Sequence, residues 1–143
     1  MKDTLATARA LADLNRLRVV SVLMEHDELC ACQVCALLGL AAATVSRHMA
    51  ILNDAGLVTG RKAGRWVYYR LSGAMSPFLR QWLEDALSGS ESAALDRETV
   101  RRILACDPRT LCTCFNQDGR PERPQRPAGA GPDAAFREGE EER

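Results

Sequence analysis

The sequence predicts a mainly helical fold carrying one β-hairpin, on three observations. Apolar residues recur at helical spacing through most of the first hundred positions. Two of the helical stretches are short and meet at Gly39, a residue suited to the positive φ of a tight helix–helix turn. Residues 57–71 instead alternate, with Val67, Tyr69 and Leu71 against Trp66, Tyr68 and Arg70. At 143 residues and 46% hydrophobic content, the chain is sized for one core-bearing domain with appendages.

Taken in order, residues 4–14 read as a helix on the spacing of Leu5, Ala8, Leu11 and Ala12. Asn15 is expected to break it and cap the next helix, which starts near Arg16 and carries Leu17, Val20 and Met24. Helical pattern resumes around Cys32 and runs through Val34, Leu37 and Leu38. After Gly39 a further helix spans about Ala42 to Ala55, with Val45, Met49 and Leu52 facing inward and Thr44, Ser46, Arg47 and His48 outward. Two short helices joined by a glycine turn form a helix-turn-helix signature. The strands of 57–71 fold about a Lys62–Arg65 turn and make a basic wing beside it. Ser76 is expected to cap the next helix, with Pro77 in its first turn. Its stripe of Phe78, Leu79, Trp82, Leu83, Ala86 and Leu87 is too wide for a solvated helix. A linker at 88–92 leads to a last short helix, Asp96 to Ala105. The expected organisation is a winged helix-turn-helix domain over 1–88, a helical extension with cysteines over 89–115, and a disordered, Pro-, Gly- and Glu-rich tail over 116–143.

Net charge is zero, but its distribution is uneven. Between Thr44 and Arg70 the basic residues Arg47, Arg61, Lys62, Arg65 and Arg70 face a single acid, Asp54. That is the footprint of a polyanion-binding surface, with Arg47, Lys62 and Arg65 the candidates for phosphate or groove contact. No stretch approaches the ~20 apolar residues of a membrane span. Six cysteines without a recognisable export signal point to reduced thiols in the cytoplasm.

Cys30, Cys32 and Cys35 stand directly ahead of the reading helix. Cys32 and Cys35 share a helix face, whereas Cys30 and Cys32 are about 200° apart around a helix. The three converge on one centre only if the helix starts at or after Cys32, or if its first turn opens. A helix N-terminus is expected to lower their pKa and favour thiolate. Cys106, Cys112 and Cys114 form a possible second thiol site.

These pieces together resemble the ArsR family of winged-helix metalloregulatory repressors. The resemblance covers roughly 11–72. It is carried by Ala10-Leu-Ala-Asp-x-x-Arg-Leu-Arg18, Glu28-Leu-Cys-x-Cys-x-x-Cys35, Val45-Ser-Arg-His-Met49, Ala55-Gly-Leu-Val58 and Gly64-Arg-Trp-Val-Tyr-Tyr-Arg-Leu71. One departure is Ala41-Ala-Ala43, where the family often has polar residues or proline entering the reading helix. The resemblance implies a homodimer that leaves double-stranded operator DNA when a metal or metalloid binds. The Cys-x-Cys-x-x-Cys version resembles the arsenite and antimonite sensors, and so implies As(III) or Sb(III) on Cys30, Cys32 and Cys35. Three sulfurs suit a trivalent thiophilic ion, whereas zinc takes four ligands. No organic cofactor, enzymatic activity or membrane partner is implied. Thr44, Ser46, Arg47, His48, Lys62 and Arg65 are the expected DNA-facing residues. Leu5, Phe78, Leu79, Trp82 and Leu83 are the expected dimer interface. A thiol redox switch on the same scaffold, a structural zinc site and a Cys-x-x-Cys oxidoreductase stay open as alternatives, the last lacking the βαβ context it needs.

Overall fold

The structure, a computed structural model, describes residues 2–111. Among them six helices and three strands follow in the order α1 (Lys2–Leu11), α2 (Leu14–Glu25), β1 (Leu29–Cys30), α3 (Ala31–Leu38), α4 (Ala42–Asp54), β2 (Val58–Ala63), β3 (Trp66–Leu71), α5 (Pro77–Leu87) and α6 (Glu91–Leu104). The expected tail over 116–143 lies outside the described residues, as do Cys112 and Cys114.

The helix-turn-helix and wing form where the local pattern places them. Gly39 adopts φ 64° and donates its N–H to the Cys35 carbonyl, which ends α3. The axes of α3 and α4 then differ by 106°, the crossing of a helix-turn-helix pair. Val45, Met49 and Leu52 anchor α4 in the core, where each contributes about 1.5–3 kcal/mol by burial. In the wing, β2 and β3 pair antiparallel from Val58↔Leu71 to Ala63↔Trp66, and Gly64 turns the chain at φ 63°.

Four local expectations change. The cap of α2 is Asp13, not Asn15: extended backbone at Asp13 lets its carboxylate accept the Arg16 N–H at 3.0 Å, and Asn15 falls inside the first turn. Ser76 makes no side-chain cap on α5, which relies on Pro77 at its start. The last helix begins at Glu91, because Ser90 caps it through the Ala93 N–H, so Glu91 and Ser92 of the supposed linker are helical. The sheet has three strands, ordered β1-β3-β2, because Leu29 and Cys30 pair with Tyr69 and Tyr68 on the far edge of β3.

The helix α6 is part of the core. Ala93, Val100 and Ile103 are buried in it, and it packs along both α2 and α3. Asp96, only 4% exposed, receives Arg18 Nε at 2.9 Å and Arg18 Nη2 at 2.7 Å. The same Nη2 donates to the Leu37 carbonyl at 3.1 Å. One guanidinium thus ties α2, α6 and the last turn of α3 together. No described helix is long and apolar enough to cross a membrane alone.

Candidate thiol site and nucleic-acid interface

Cys30 ends β1 and sits at the N-cap of α3, so the helix begins just before Cys32. The Gln33 carboxamide accepts the Cys30 N–H at 2.8 Å and fixes this junction. Cys30 and Cys35 are both free thiols, each 2% exposed. Burial pushes the Cys35 thiol up to about 11, and neighbouring Cys30 adds to the rise against a backbone hydrogen bond that opposes it. The expected lowering by the helix N-terminus is thereby reversed at Cys35. The helix-end field fades beyond the first turn, while desolvation acts in full on a thiol inside the core. Burial, and then the same Cys35, also raise the Tyr69 hydroxyl. Cys35 therefore has both Cys30 and Tyr69 as neighbours.

Cys32 is different. It is half-buried, and its sulfur is engaged in a disulfide, against the expectation that every thiol is reduced. Cys106 is free and exposed, its thiol donating to the Arg102 carbonyl at 3.4 Å. Among the described residues, no three of His, Cys, Asp and Glu already converge on one point. Soft sulfur donors suit a thiophilic ion. Two of the three, Cys30 and Cys35, lie near one another in the core, and Cys32 stands apart in its disulfide.

Thr44, Ser46 and Arg47 are exposed along α4, and Lys62 and Arg65 are exposed at the wing tip. Ala41 offers no side-chain cap, so the first N–H groups of α4 are left to solvent or a phosphate. His48 is turned inward with 15% of its side chain exposed. Its Nδ1 lies 3.8 Å from Asp13 Oδ1 and 3.5 Å from Arg16 Nη1. Arg16 in turn donates to the Ala10 carbonyl at 2.6 Å and the Arg9 carbonyl at 3.0 Å. The ring fastens α4 to the α1–α2 turn, a contact whose partners stand more than thirty positions apart in sequence. Arg61 was legible only as one charge in a basic run. In the fold, Glu28 holds it through Nε at 2.8 Å and Nη2 at 2.6 Å.

Of the apolar residues expected at a dimer interface, Leu5, Phe78 and Trp82 are exposed at 52%, 83% and 55%. Leu79 is half-buried against the core. Leu83 is 1% exposed and belongs to the core of its own chain, because it points inward from α5. It is therefore removed from the interface set.

The fold and the exposed basic elements define a winged helix-turn-helix DNA-binding protein with cysteines beside its reading helix. Residues 13–59 match the family described as "Bacterial regulatory protein, arsR family". The chain is 34% identical over 107 residues to the "Arsenical resistance operon repressor" of Escherichia coli (strain K12), covering 73% of this chain and 92% of that protein. It is 39% identical over 61 residues to the "Cadmium resistance transcriptional regulatory protein CadC" of Listeria innocua serovar 6a, covering 43% of this chain and 51% of that protein. Among solved structures it resembles HlyU from Vibrio cholerae N16961, at 26% identity and a TM-score of 0.54, covering 61% of this chain and 94% of that one. The chain belongs to the arsR family. It is a DNA-binding transcriptional repressor, and its relatives are regulators rather than enzymes.

Proposed function

We propose that metal-responsive repression in this chain works through As(III) or Sb(III) bound by Cys30, Cys32 and Cys35, which releases a homodimer from operator DNA. The observation that carries this reading is the shared packing of the thiol helix and the reading helix. Cys30 is buried at the N-cap of α3 and Cys35 in its second turn, and α3 packs on α4 through a core that includes Val34, Leu38, Val45 and Met49. A change at the start of α3 is felt where Thr44, Ser46 and Arg47 are presented.

The chemistry suits the donor set. Each thiol displaces one hydroxide of neutral As(OH)3; the thiol proton leaves with it as water, and an As–S bond replaces each As–O bond. The overall exchange releases no net proton, so a Cys35 thiol that is protonated at neutral pH is accounted for by the water formed. Cys32 joins after its disulfide is reduced by a small cellular thiol. The chain is similar to both an arsenical and a cadmium resistance regulator, so Cd(II) is the competing ion in the test.

A fluorescence-anisotropy titration of operator DNA tests it, with protein kept in a reducing buffer. As(III) and Sb(III) are expected to weaken binding roughly 5–150-fold, the usual range of such a coupling. Cys35→Ser is expected to bind operator normally and to lose that response. Release by Cd(II) alone, or an As(III) response retained in Cys35→Ser, would sink this reading. One observation favours a second reading, a thiol redox switch on the same scaffold: the Cys32 disulfide. Diamide releasing the operator with no metalloid present would favour it.

A further inference from the structure

The strand β1 connects the thiol segment directly to the wing. Its two residues pair with one edge of β3, and β2 pairs with the other. Cys30, Tyr68 and Arg61 consequently lie in one row across the sheet, Cys30 opposite Tyr68 and Tyr68 opposite Arg61. Residues directly opposite one another share a face. Over this row the Glu28 carboxylate reaches across β3 and holds the Arg61 guanidinium by two parallel bonds, Nε to Oε2 at 2.8 Å and Nη2 to Oε1 at 2.6 Å. The guanidinium carbon also lies 4.5 Å from the centre of the Tyr68 ring. Arg61 is thus clamped between a carboxylate that leads into the thiols and a ring opposite one of them. The next residue is Lys62, at the wing tip.

We propose that Glu28 and Arg61 form a strut that sets the position of the wing for DNA binding, and that both are positioning residues rather than phosphate contacts. The strut rests on the reading of α4 and the wing as the DNA surface; its link to the effector rests further on the thiol site of the previous section. Exposed ion pairs contribute little to folding stability. What this one supplies is geometry: a planar fork matched to a carboxylate fixes direction as well as distance. Glu28 is two residues from Cys30, so drawing Cys30 toward an ion displaces β1 and carries the carboxylate away from Arg61. The wing then loses its brace, and Lys62 and Arg65 lose their aim.

The test is a double-mutant cycle on operator affinity, using Glu28→Gln, Arg61→Gln, the double variant and Arg61→Lys, at several salt concentrations, with and without As(III). Without As(III), each single variant is expected to bind roughly five- to tenfold more weakly, within the usual range of such couplings. The double variant is expected to be no weaker than Arg61→Gln, and Arg61→Lys not to restore binding, since an ammonium cannot reproduce the fork. The salt slope of each variant is expected to match that of the unaltered protein, because no phosphate contact is lost. At saturating As(III) the coupling between the two positions is expected to vanish. Glu28→Gln binding like the unaltered protein would overturn the strut. So would tighter binding with a steeper slope, which would make Glu28 a competitor of phosphate. A slope lower by about one in Arg61→Gln would make Arg61 a phosphate contact instead. If As(III) does not release the unaltered protein, the thiol reading fails, and the measurements without As(III) still decide the strut.

Discussion

At the scale of single residues, Cys35 carries the clearest consequence of burial. Its thiol titrates at about 11 rather than the ordinary 9.0, with desolvation the main cause. The unfolded chain ionises this thiol first as pH rises. The stability that the buried neutral thiol contributes is therefore fully present below pH 9 and is lost progressively as pH rises toward 11. Urea unfolding from pH 8 to 11 is expected to show this loss, and Cys35→Ala to flatten it. The same protonation separates candidate effectors. As(OH)3 exchanges hydroxide for thiol without net proton release, whereas a dication displaces the thiol proton into solution. Operator release by As(III) is expected to be nearly independent of pH between 6.5 and 8.5, and release by Cd(II) to strengthen as pH rises. Equal pH dependence for the two ions would remove the buried neutral thiol from the selectivity.

At the scale of elements, α6 adds an ion pair with a buried carboxylate to its apolar packing on α2 and α3. Asp96 is buried, and both its oxygens accept from Arg18, which also holds the end of α3. Removing one member of a buried pair leaves the other charge unpaired and costs about 3–5 kcal/mol. Asp96→Ala leaves Arg18 partly in water and still bonded to the Leu37 carbonyl, so it is expected to lower unfolding stability by less than that, about 1.5–3 kcal/mol. Arg101→Ala, whose partner Glu98 is exposed, is expected to change it by less than about 1 kcal/mol. Chemical denaturation of both variants checks the contrast. The wing gives a different readout. Lys62 is exposed and outside the Glu28–Arg61 pair, which leaves its ammonium available, and it is the wing residue we propose for phosphate contact. Lys62→Ala is expected to weaken binding to all DNA sequences and to lower the salt slope by about one. An unchanged slope would place the wing tip away from the DNA.

At the scale of the whole molecule, α5 turns its apolar residues two ways. Leu83 is sealed in the core, while Phe78 and Trp82 face outward with Leu5 of α1. Large aromatic side chains left this exposed favour an association surface over a solvated one. Trp82→Glu is expected to yield a folded monomer by analytical ultracentrifugation, with operator affinity reduced because two half-sites are no longer read together. Leu83→Ala is expected to do the reverse, lowering unfolding stability by about 2–5 kcal/mol while leaving association of the folded chain intact. A Trp82→Glu protein that remains dimeric would assign Phe78 and Trp82 another role.

The sequence by itself determined the winged helix-turn-helix. The turn at Gly39, the inward stripe of Val45, Met49 and Leu52, and the alternation of 66–71 are rules of local spacing, satisfied within a few residues. It also determined which soft donor atoms the thiol segment carries, since the identities of Cys30, Cys32 and Cys35 require no fold. The tertiary structure alone decided where those groups face. Cys35 became a neutral core thiol because the helices around it exclude water, a property of packing rather than of spacing. Leu29 and Cys30 became a strand only because β3, nearly forty positions later, offered an unpaired edge to two residues too few to carry a periodicity. Asp96 found Arg18, His48 found Asp13 and Arg61 found Glu28 across separations that no local rule spans. Short-range periodicity is written in the chain; long-range ion pairs and sheet edges exist only after the chain has folded back on itself.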